Sequence, residues 1–247
     1  MKKLDLRDKA IIAGLFIAKF NKVGLQTLGF SSFIEAYNTI GFSLNIKPLS
    51  IRGYRDEFDA QYEHRQGWNR KMREYCKKIY DEFGSLDFEA FLELMKEIIF
   101  PDYQIQQIIE NLEIAEKEDK TTFAKRLMTG IAAEQYFKNV YTQINIFENL
   151  TLEDTTKYGC GFDFKLSNEN TFYGVEVKGL NGKKGSISLT NKEYKVAQLM
   201  TENYFVFLVK NFKEEPYHEI YQNPINGQLS FKKIDTPIIQ VNWLANV

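Results

Sequence analysis

The chain has 247 residues, 44% hydrophobic and 26% charged, a composition typical of globular domains and not of disordered or fibrous chains. No apolar run approaches the roughly 18 residues of a membrane-spanning helix, and the first residues carry charges where a signal peptide would be apolar. The two cysteines, Cys76 and Cys160, belong to no paired motif, which argues against a disulfide framework or a cysteine-based zinc site. We therefore expect a cytoplasmic protein without a membrane partner.

The formal net charge of −1 conceals two segregated blocks. From Lys47 to Lys78 there are nine Lys/Arg and five Asp/Glu, a net charge of +4, whereas residues 79–119 contain two and twelve, a net charge of −10. A local basic face can attract phosphates on a protein that is neutral overall. The basic block is thus a candidate DNA-binding region. The alternatives are two separately solvated surfaces, or two segments that pair with each other.

Helical patterns fill the first 115 residues. Residues 9–20 are apolar nearly all round, as in a buried helix, and Ser31 or Ser32 can cap an amphipathic helix over residues 33–42. A short helix follows Pro48, and helices are also predicted over residues 71–83, 86–99 and 104–115. The first three helices are compatible with a helix-turn-helix unit, although Gly53 weakens the third.

The pattern changes after a charged run. Residues 123–141 are helical in pattern, and strands are predicted over residues 162–166, 172–178, 186–189, 204–212 and 229–232. A polar turn at 167–170 joins the first two strands into a hairpin, and Thr190 with Glu193 forms a capping box that opens a helix. The sequence therefore predicts an α/β protein: a helical N-terminal domain (1–115), a charged linker (116–121) and a domain built on a mixed sheet flanked by helices (122–247).

Asp163, Glu176 and Lys178 are the candidate catalytic residues. Asp163 lies on the first strand of the hairpin, and Glu176 and Lys178 project from one face of the second strand because they are two residues apart. Two carboxylates supply the oxygen ligands that suit Mg²⁺, which lowers the pKa of a bound water and neutralises phosphate charge. Lys178 would orient that water or stabilise the transition state. The alternative is an exposed strand with an ordinary cross-strand ion pair.

Asp163 followed by Glu176-Val177-Lys178 resembles the signature of the PD-(D/E)XK nuclease superfamily. Residues 130–134 resemble the first core helix of that superfamily, in which a glutamate often joins the metal site. The resemblance therefore makes Glu134 a fourth candidate catalytic residue, with a solvated helix glutamate as the alternative. Phe162 replaces the proline of the motif, which does no chemistry.

Residues 161–164, 175–179 and 188–194 are more closely similar to the NO VEIN C-terminal domain, which occurs in many restriction and defence proteins. The similarity runs from about residue 130 to residue 212. It implies a helix, a three-stranded hairpin sheet, a second helix and a further strand. It also implies a restriction-endonuclease-like fold for the C-terminal domain.

The resemblance implies a Mg²⁺-dependent endonuclease that cuts double-stranded DNA at a specific site, as type II restriction enzymes do. A homodimer is expected because one active site cuts one strand. No glycine loop with a lysine suggests ATP binding, and the two histidines are not spaced as metal ligands. The rival hypotheses are a repair or structure-specific nuclease, and a catalytically silent DNA- or protein-binding module of the same fold.

Candidate DNA contacts lie in the basic block and in the glycine-rich turn that follows Lys178. They are Ser50, Arg52, Arg55, Arg65, Arg70, Lys183 and Lys184. Arg52 and Arg55 have an alternative role, in which they pair with neighbouring carboxylates and hold their helix in place. Lys183 and Lys184 have the alternative of a mobile, solvated turn.

Overall fold

The structure, a computed structural model, describes residues 4–65, 71–99, 120–227 and 229–234. A helical N-terminal region precedes a five-stranded mixed sheet flanked by helices, which confirms the predicted α/β class. The predicted helix over residues 104–115 lies outside the described residues, as does most of the predicted linker. Among the described helices, none combines the length and the apolar character needed to cross a lipid bilayer.

Helix α1 is the centre of the N-terminal core, and its residues 10–18 are all buried. The described helices of this region are α1 (Leu6–Thr27), α2 (Phe33–Ser43), α3 (Pro48–Glu57), α4 (Glu74–Phe83) and α5 (Phe88–Ile99). Asn21 has a positive φ of 47° and kinks α1. The predicted cap of α2 is confirmed at Ser32, whose side chain accepts a hydrogen bond from the Glu35 N–H at 3.1 Å.

The sheet has the strand order β1-β2-β3-β4-β5. The elements of this region are α6 (Lys120–Val140), β1 (Thr151–Asp154), β2 (Phe164–Ser167), β3 (Phe172–Gly179), α7 (Asn191–Met200), β4 (Tyr204–Lys210) and β5 (Tyr217–Gln222). Strands β3 and β4 are parallel and α7 connects them, whereas the other neighbouring strands are antiparallel. The predicted β2–β3 hairpin and the Thr190–Glu193 capping box are both confirmed.

Two predicted strands are wrong, and two observed strands were not predicted. Residues 186–189 and 229–232 form no strand. Both sides of β3 and β4 are already paired within the sheet, so residues 186–189 have no strand edge there, and Ile187 and Leu189 instead pack beside α7 and β4. Strand β1 is largely exposed, β5 is largely half-buried, and neither has the apolar alternation that predicts a strand, so their pairing depends on neighbours that no local pattern reveals.

The two faces of the sheet bury different residues. Val175 and Val177 of β3, with Phe205 and Phe207 of β4, face α6 and form an apolar core with Phe137. The alternate residues of the same strands face α7. On that side Tyr204 and Val206 pack against Ala197, and Glu176 lies opposite Val206 in the strand register. The strand periodicity therefore places Glu176 on the α7 face of the sheet.

Helix α6 belongs to both parts of the fold. Met128 joins the N-terminal core, and Ala132, one turn later, joins the core under the sheet. Glu35 of α2 is fully buried and pairs with Lys125 of α6 at 2.6 Å. Asn38 of α2 donates hydrogen bonds to the carbonyls of residues 212 and 214, both at 2.8 Å. The helical region is thus attached to the sheet by buried polar contacts.

We expect Asn38→Ala to destabilise the protein by about 1–3 kcal/mol, because it leaves the buried carbonyl of residue 212 without this donor. For a chain of this size each kcal/mol lowers Tm by roughly 2–4 °C, which thermal unfolding followed by circular dichroism will measure. Asn139→Ala is the matched control. Asn139 is exposed and contacts Asn45 at 3.0 Å, so its loss should change stability by less than about 0.5 kcal/mol. Equal Tm values for the two variants would contradict the prediction.

Candidate active site

Asp163 immediately precedes β2, and both its backbone N–H and its carbonyl form hydrogen bonds. Its N–H donates to the Val175 carbonyl at 3.0 Å, and its carbonyl accepts from the Thr155 N–H at 2.9 Å. Its side-chain Oδ2 accepts from the N–H of Val177 at 2.8 Å. Because Val177 stands between Glu176 and Lys178, this bond ties the Asp163 carboxyl to the strand that carries the other two residues.

Contacts of Gly161 with the core fix the turn that leads into Asp163. Gly161 has φ +96°, and a Cβ at this position would stand 2.7 Å from Val196 Cγ2, so a side chain would be strained on both counts. The fully buried Tyr204 donates a hydrogen bond from its hydroxyl to the Gly161 carbonyl at 2.9 Å. Core packing thus determines the position of Asp163.

Glu176 and Lys178 contact each other directly. The Lys178 ammonium lies 2.5 Å from Glu176 Oε1 and 3.1 Å from Oε2 of Glu193, which lies on α7. Glu176 is only 3% exposed, and the side chains of Lys178 and Glu193 are mostly buried. This geometry confirms that Glu176 and Lys178 share a face, and it differs from the solvent-exposed strand pair considered as the alternative.

The carboxyl groups of this site repel one another. Burial raises the pKa of Glu176 to about 9, and the charge of Asp163 adds to the shift. Burial likewise raises the pKa of Asp163 to about 6. The pKa of Lys178 is raised as well, since burial lowers it but the carboxylates of Glu176 and Glu193 outweigh that effect. The site therefore has more acidic groups than its single ammonium can neutralise.

Glu134 of α6 belongs to the same electrostatic environment. It is half-buried, and burial together with the charge of Asp163 raises its pKa to about 7. Its neighbour Lys138, one helical turn away, pairs with Asp154 at 2.6 Å. Glu134 is therefore close enough to Asp163 and Lys178 to be influenced by their charges, whereas the alternative was a solvated helix glutamate.

These donors fit a divalent cation with oxygen ligands. Asp163 and Glu176 are neighbouring carboxyls whose ionised forms are disfavoured by burial, and a cation bound between them would stabilise those ionised forms. In the part of the chain that the structure describes, no three acidic, histidine or cysteine side chains group closely enough to hold a metal by themselves. Mg²⁺ commonly takes one or two carboxylates, with waters and substrate phosphate oxygens as its further ligands, so two carboxyls suit it.

The candidate DNA contacts of the basic block differ in their surroundings. Arg52 is 63% exposed and lies 4.0 Å from Asp56. The Arg55 guanidinium lies 3.9 Å above the Phe33 ring and donates to the Tyr37 hydroxyl at 2.6 Å, so it ties α3 to α2. Ser50 is half-buried on α3. Arg65 is largely covered and pairs with Asp56 and Asp59, and Arg70 lies outside the described residues.

Backbone hydrogen bonds attach the turn after Lys178 to the end of β4. The Leu180 N–H donates to the Val209 carbonyl at 2.7 Å, and the Gly182 carbonyl accepts from the Asn211 N–H at 3.1 Å. Lys183 is exposed and pairs with Glu214 at 2.8 Å, and Lys184 is exposed as well. Two basic side chains therefore stand on a hydrogen-bonded turn directly after the candidate catalytic strand.

Sequence reasoning missed two contacts of this site. Glu193 was interpreted only as a helix cap, although the same side chain contacts Lys178. Tyr204 was treated as one residue of a strand, although its hydroxyl holds the turn before Asp163. The cap motif was the available signal for Glu193, because it placed an acid at the start of the helix that follows β3. No sequence signal pointed to the Tyr204 contact.

Comparison with known proteins relates the sheet region to one family. Residues 133–222 match the family model described as "Protein NO VEIN, C-terminal", and this family is nuclease-like. The matched segment covers little more than a third of the chain. It runs from α6 to the end of β5 and contains the four candidate catalytic residues. No curated protein and no solved structure matches the chain.

Proposed function

We propose that the chain is a Mg²⁺-dependent endonuclease that hydrolyses phosphodiester bonds of double-stranded DNA at a specific site, in the manner of a type II restriction enzyme. Asp163, Glu176 and Lys178 carry the proposal, because they converge on one side of the sheet within the segment that matches a nuclease-like family. Acidic groups beside a buried ammonium are an arrangement that suits metal-assisted hydrolysis of a phosphodiester.

Each residue has a distinct role in the proposed reaction. Asp163 and Glu176 would hold Mg²⁺, which when bound neutralises phosphate charge and makes water more acidic. The Val177 N–H keeps the Asp163 carboxyl oriented. Lys178 donates a hydrogen bond toward the phosphate as negative charge develops, and the cover of α7 around it makes this donor stronger than it would be in water. Glu134 would hold a proton near the site, because burial and the charge of Asp163 raise its pKa to about 7.

Recognition of a specific site requires a second region. The catalytic residues would act on phosphate, which is the same at every base step, so they cannot choose a sequence. Exposed groups of the basic block, Arg52 first among them, are the proposed readers of base edges. Lys183 and Lys184 are proposed to contact the DNA backbone beside the site. Two copies of the chain, as a homodimer, would cut both strands.

Digestion of plasmid DNA tests the proposal. EDTA should abolish cleavage and Mg²⁺ or Mn²⁺ should restore it, whereas Ca²⁺ should support binding with little turnover. Asp163→Ala, Glu176→Ala and Lys178→Ala should each lower the cleavage rate by about 100-fold or more, because each removes one element of charge stabilisation. Lys165→Ala is the matched control, since Lys165 pairs with Glu153 on the exposed part of the same sheet.

Each outcome of the digestion decides between hypotheses. Discrete bands support restriction-type cleavage, and smearing or nicking supports the repair or structure-specific nuclease. If the folded protein cuts nothing with any metal, the silent binding module is favoured. Undiminished cleavage in EDTA, or normal cleavage by all three alanine variants, would refute the two-carboxylate mechanism.

Metal affinity should rise with pH. A carboxyl must lose its proton to bind the cation, and the pKa of Glu176 is raised to about 9 and that of Asp163 to about 6. Between pH 6.5 and 8.5 the Kd for Mg²⁺ should therefore fall about tenfold per pH unit, with one proton released per ion. Calorimetry in two buffers of different ionisation enthalpy measures both quantities. A Kd that does not change over this range would contradict the prediction, and Glu176→Gln should remove most of the dependence.

Arg52→Ala should relax site choice without impairing the metal chemistry. One arginine contact with guanine is worth about 1–3 kcal/mol, so discrimination against single-base variants of the site should fall roughly 5- to 150-fold. The sequence predicted the same effect for Arg55, but its contacts with Phe33 and Tyr37 mean that Arg55→Ala should also lower Tm. Competitive cleavage of matched oligonucleotides is the measurement. Unchanged preference in Arg52→Ala would remove this residue from recognition.

A further inference from the structure

One carboxylate oxygen links the start of α7 to the candidate active site. Oε2 of Glu193 accepts a hydrogen bond from the Thr190 N–H at 2.8 Å, which completes the capping box. The same oxygen accepts from the Lys178 ammonium at 3.1 Å. This oxygen therefore has two donors, one at the N-terminal end of α7 and one at the candidate active site.

Lys178 has a second carboxylate partner, Glu176, which is also proposed to bind the metal. Its other ion pair is with Oε1 of Glu176 at 2.5 Å, and Glu176 is one of the two carboxyls assigned to the metal. A divalent cation bound to Glu176 would weaken this ion pair, because it would repel the ammonium and neutralise the charge of the carboxylate that attracts it. Glu193, which is not assigned to the metal, is then the carboxylate that keeps Lys178 in place.

Burial makes this contact more consequential than a surface ion pair. The side chains of Lys178 and Glu193 are 21% and 17% exposed, and that of Glu176 is 4% exposed. An ammonium in such surroundings that lost one of its two carboxylate partners would remain poorly solvated, and it would shift from its present position. A lysine that moves by about 1 Å loses much of its catalytic effect.

We propose that Glu193 is a positioning residue, which holds the Lys178 ammonium at the candidate active site through the oxygen that also caps α7. The inference rests on the proposed function for its catalytic consequence only. The contact itself belongs to the metal-free protein and can be tested there. If Glu193 is nothing more than a cap, weakening the cap by any route should affect Lys178 equally.

Two variants separate the cap from the lysine contact. Glu193→Gln keeps a capping-box acceptor, because glutamine serves at this position, but it replaces the ion pair with a weaker hydrogen bond from the ammonium to an uncharged amide oxygen. Thr190→Ala removes the hydroxyl that accepts from the Glu193 N–H at 3.2 Å and leaves the Glu193 carboxylate on Lys178. The positioning role predicts that Glu193→Gln disturbs Lys178 more, whereas the cap role predicts that Thr190→Ala disturbs it at least as much.

Lysine side-chain NMR of the full-length, metal-free protein labelled with ¹⁵N-lysine is the first measurement. A fixed, hydrogen-bonded ammonium gives a resolved Nζ signal, which for Lys178 is identified by its disappearance in Lys178→Arg. We expect this signal to persist in Thr190→Ala and to broaden or vanish in Glu193→Gln. A wild-type signal in Glu193→Gln, or an equal loss in Thr190→Ala, would overturn the proposal.

Cleavage kinetics with Mg²⁺ are the second measurement. Glu193→Gln should lower kcat by roughly 10- to 100-fold with little change in KM, because a displaced lysine affects the transition state more than binding. Thr190→Ala should cleave at nearly the wild-type rate. Equal kcat values for the two variants would overturn the catalytic consequence. If the wild-type protein does not cleave DNA at all, the proposed function fails, whereas the NMR comparison still decides whether Glu193 positions Lys178.

Discussion

The site depends on one unfavourable placement, a carboxyl buried in the face of a sheet. Glu176 is 3% exposed between β2 and β4 and beneath α7, where an unpaired charge would be costly. Lys178 offsets part of that cost, but Asp163 brings a further negative charge to the same place. A metal-free site of this kind holds protons that a cation can displace. The burial of these carboxyls lowers the stability of the metal-free protein, and it is also the source of the proposed affinity for Mg²⁺.

The opposite face of the sheet makes this placement possible. Phe137 of α6 packs against Phe164 and Phe207, and Phe205 packs against Phe147 in the same buried core. Apolar burial of this extent stabilises the strands independently of the charged side. The apolar α6 face therefore stabilises the sheet, and the α7 face is left free to carry acidic groups and a lysine. Because side chains alternate along β3, Val175 and Val177 pack on the α6 face, whereas Glu176, between them, lies on the α7 face.

Buried polar contacts connect the helical region to this sheet. Separating α2 from α6 would leave Glu35 buried without Lys125, and withdrawing Asn38 would leave carbonyls beyond β4 without donors. Contacts of this type specify an orientation more strictly than apolar packing does. In the proposed enzyme they would hold Arg52 and its neighbours at a constant position relative to Asp163, as site-specific cleavage needs.

Local patterns in the sequence were sufficient for much of the molecule. The N-caps, the helical periodicity, the polar turn of the hairpin and the two-residue spacing of Glu176 and Lys178 involve residues a few positions apart, so the chain determined them by itself. The tertiary structure alone decided the pairing of β1 and β5, the unpaired state of residues 186–189 and the packing of Arg55 on α2. It also decided the contact between Glu193 and Lys178. The physical reason is that these partners are distant in sequence, and only the packing of α7 over the sheet brings such groups within hydrogen-bonding distance.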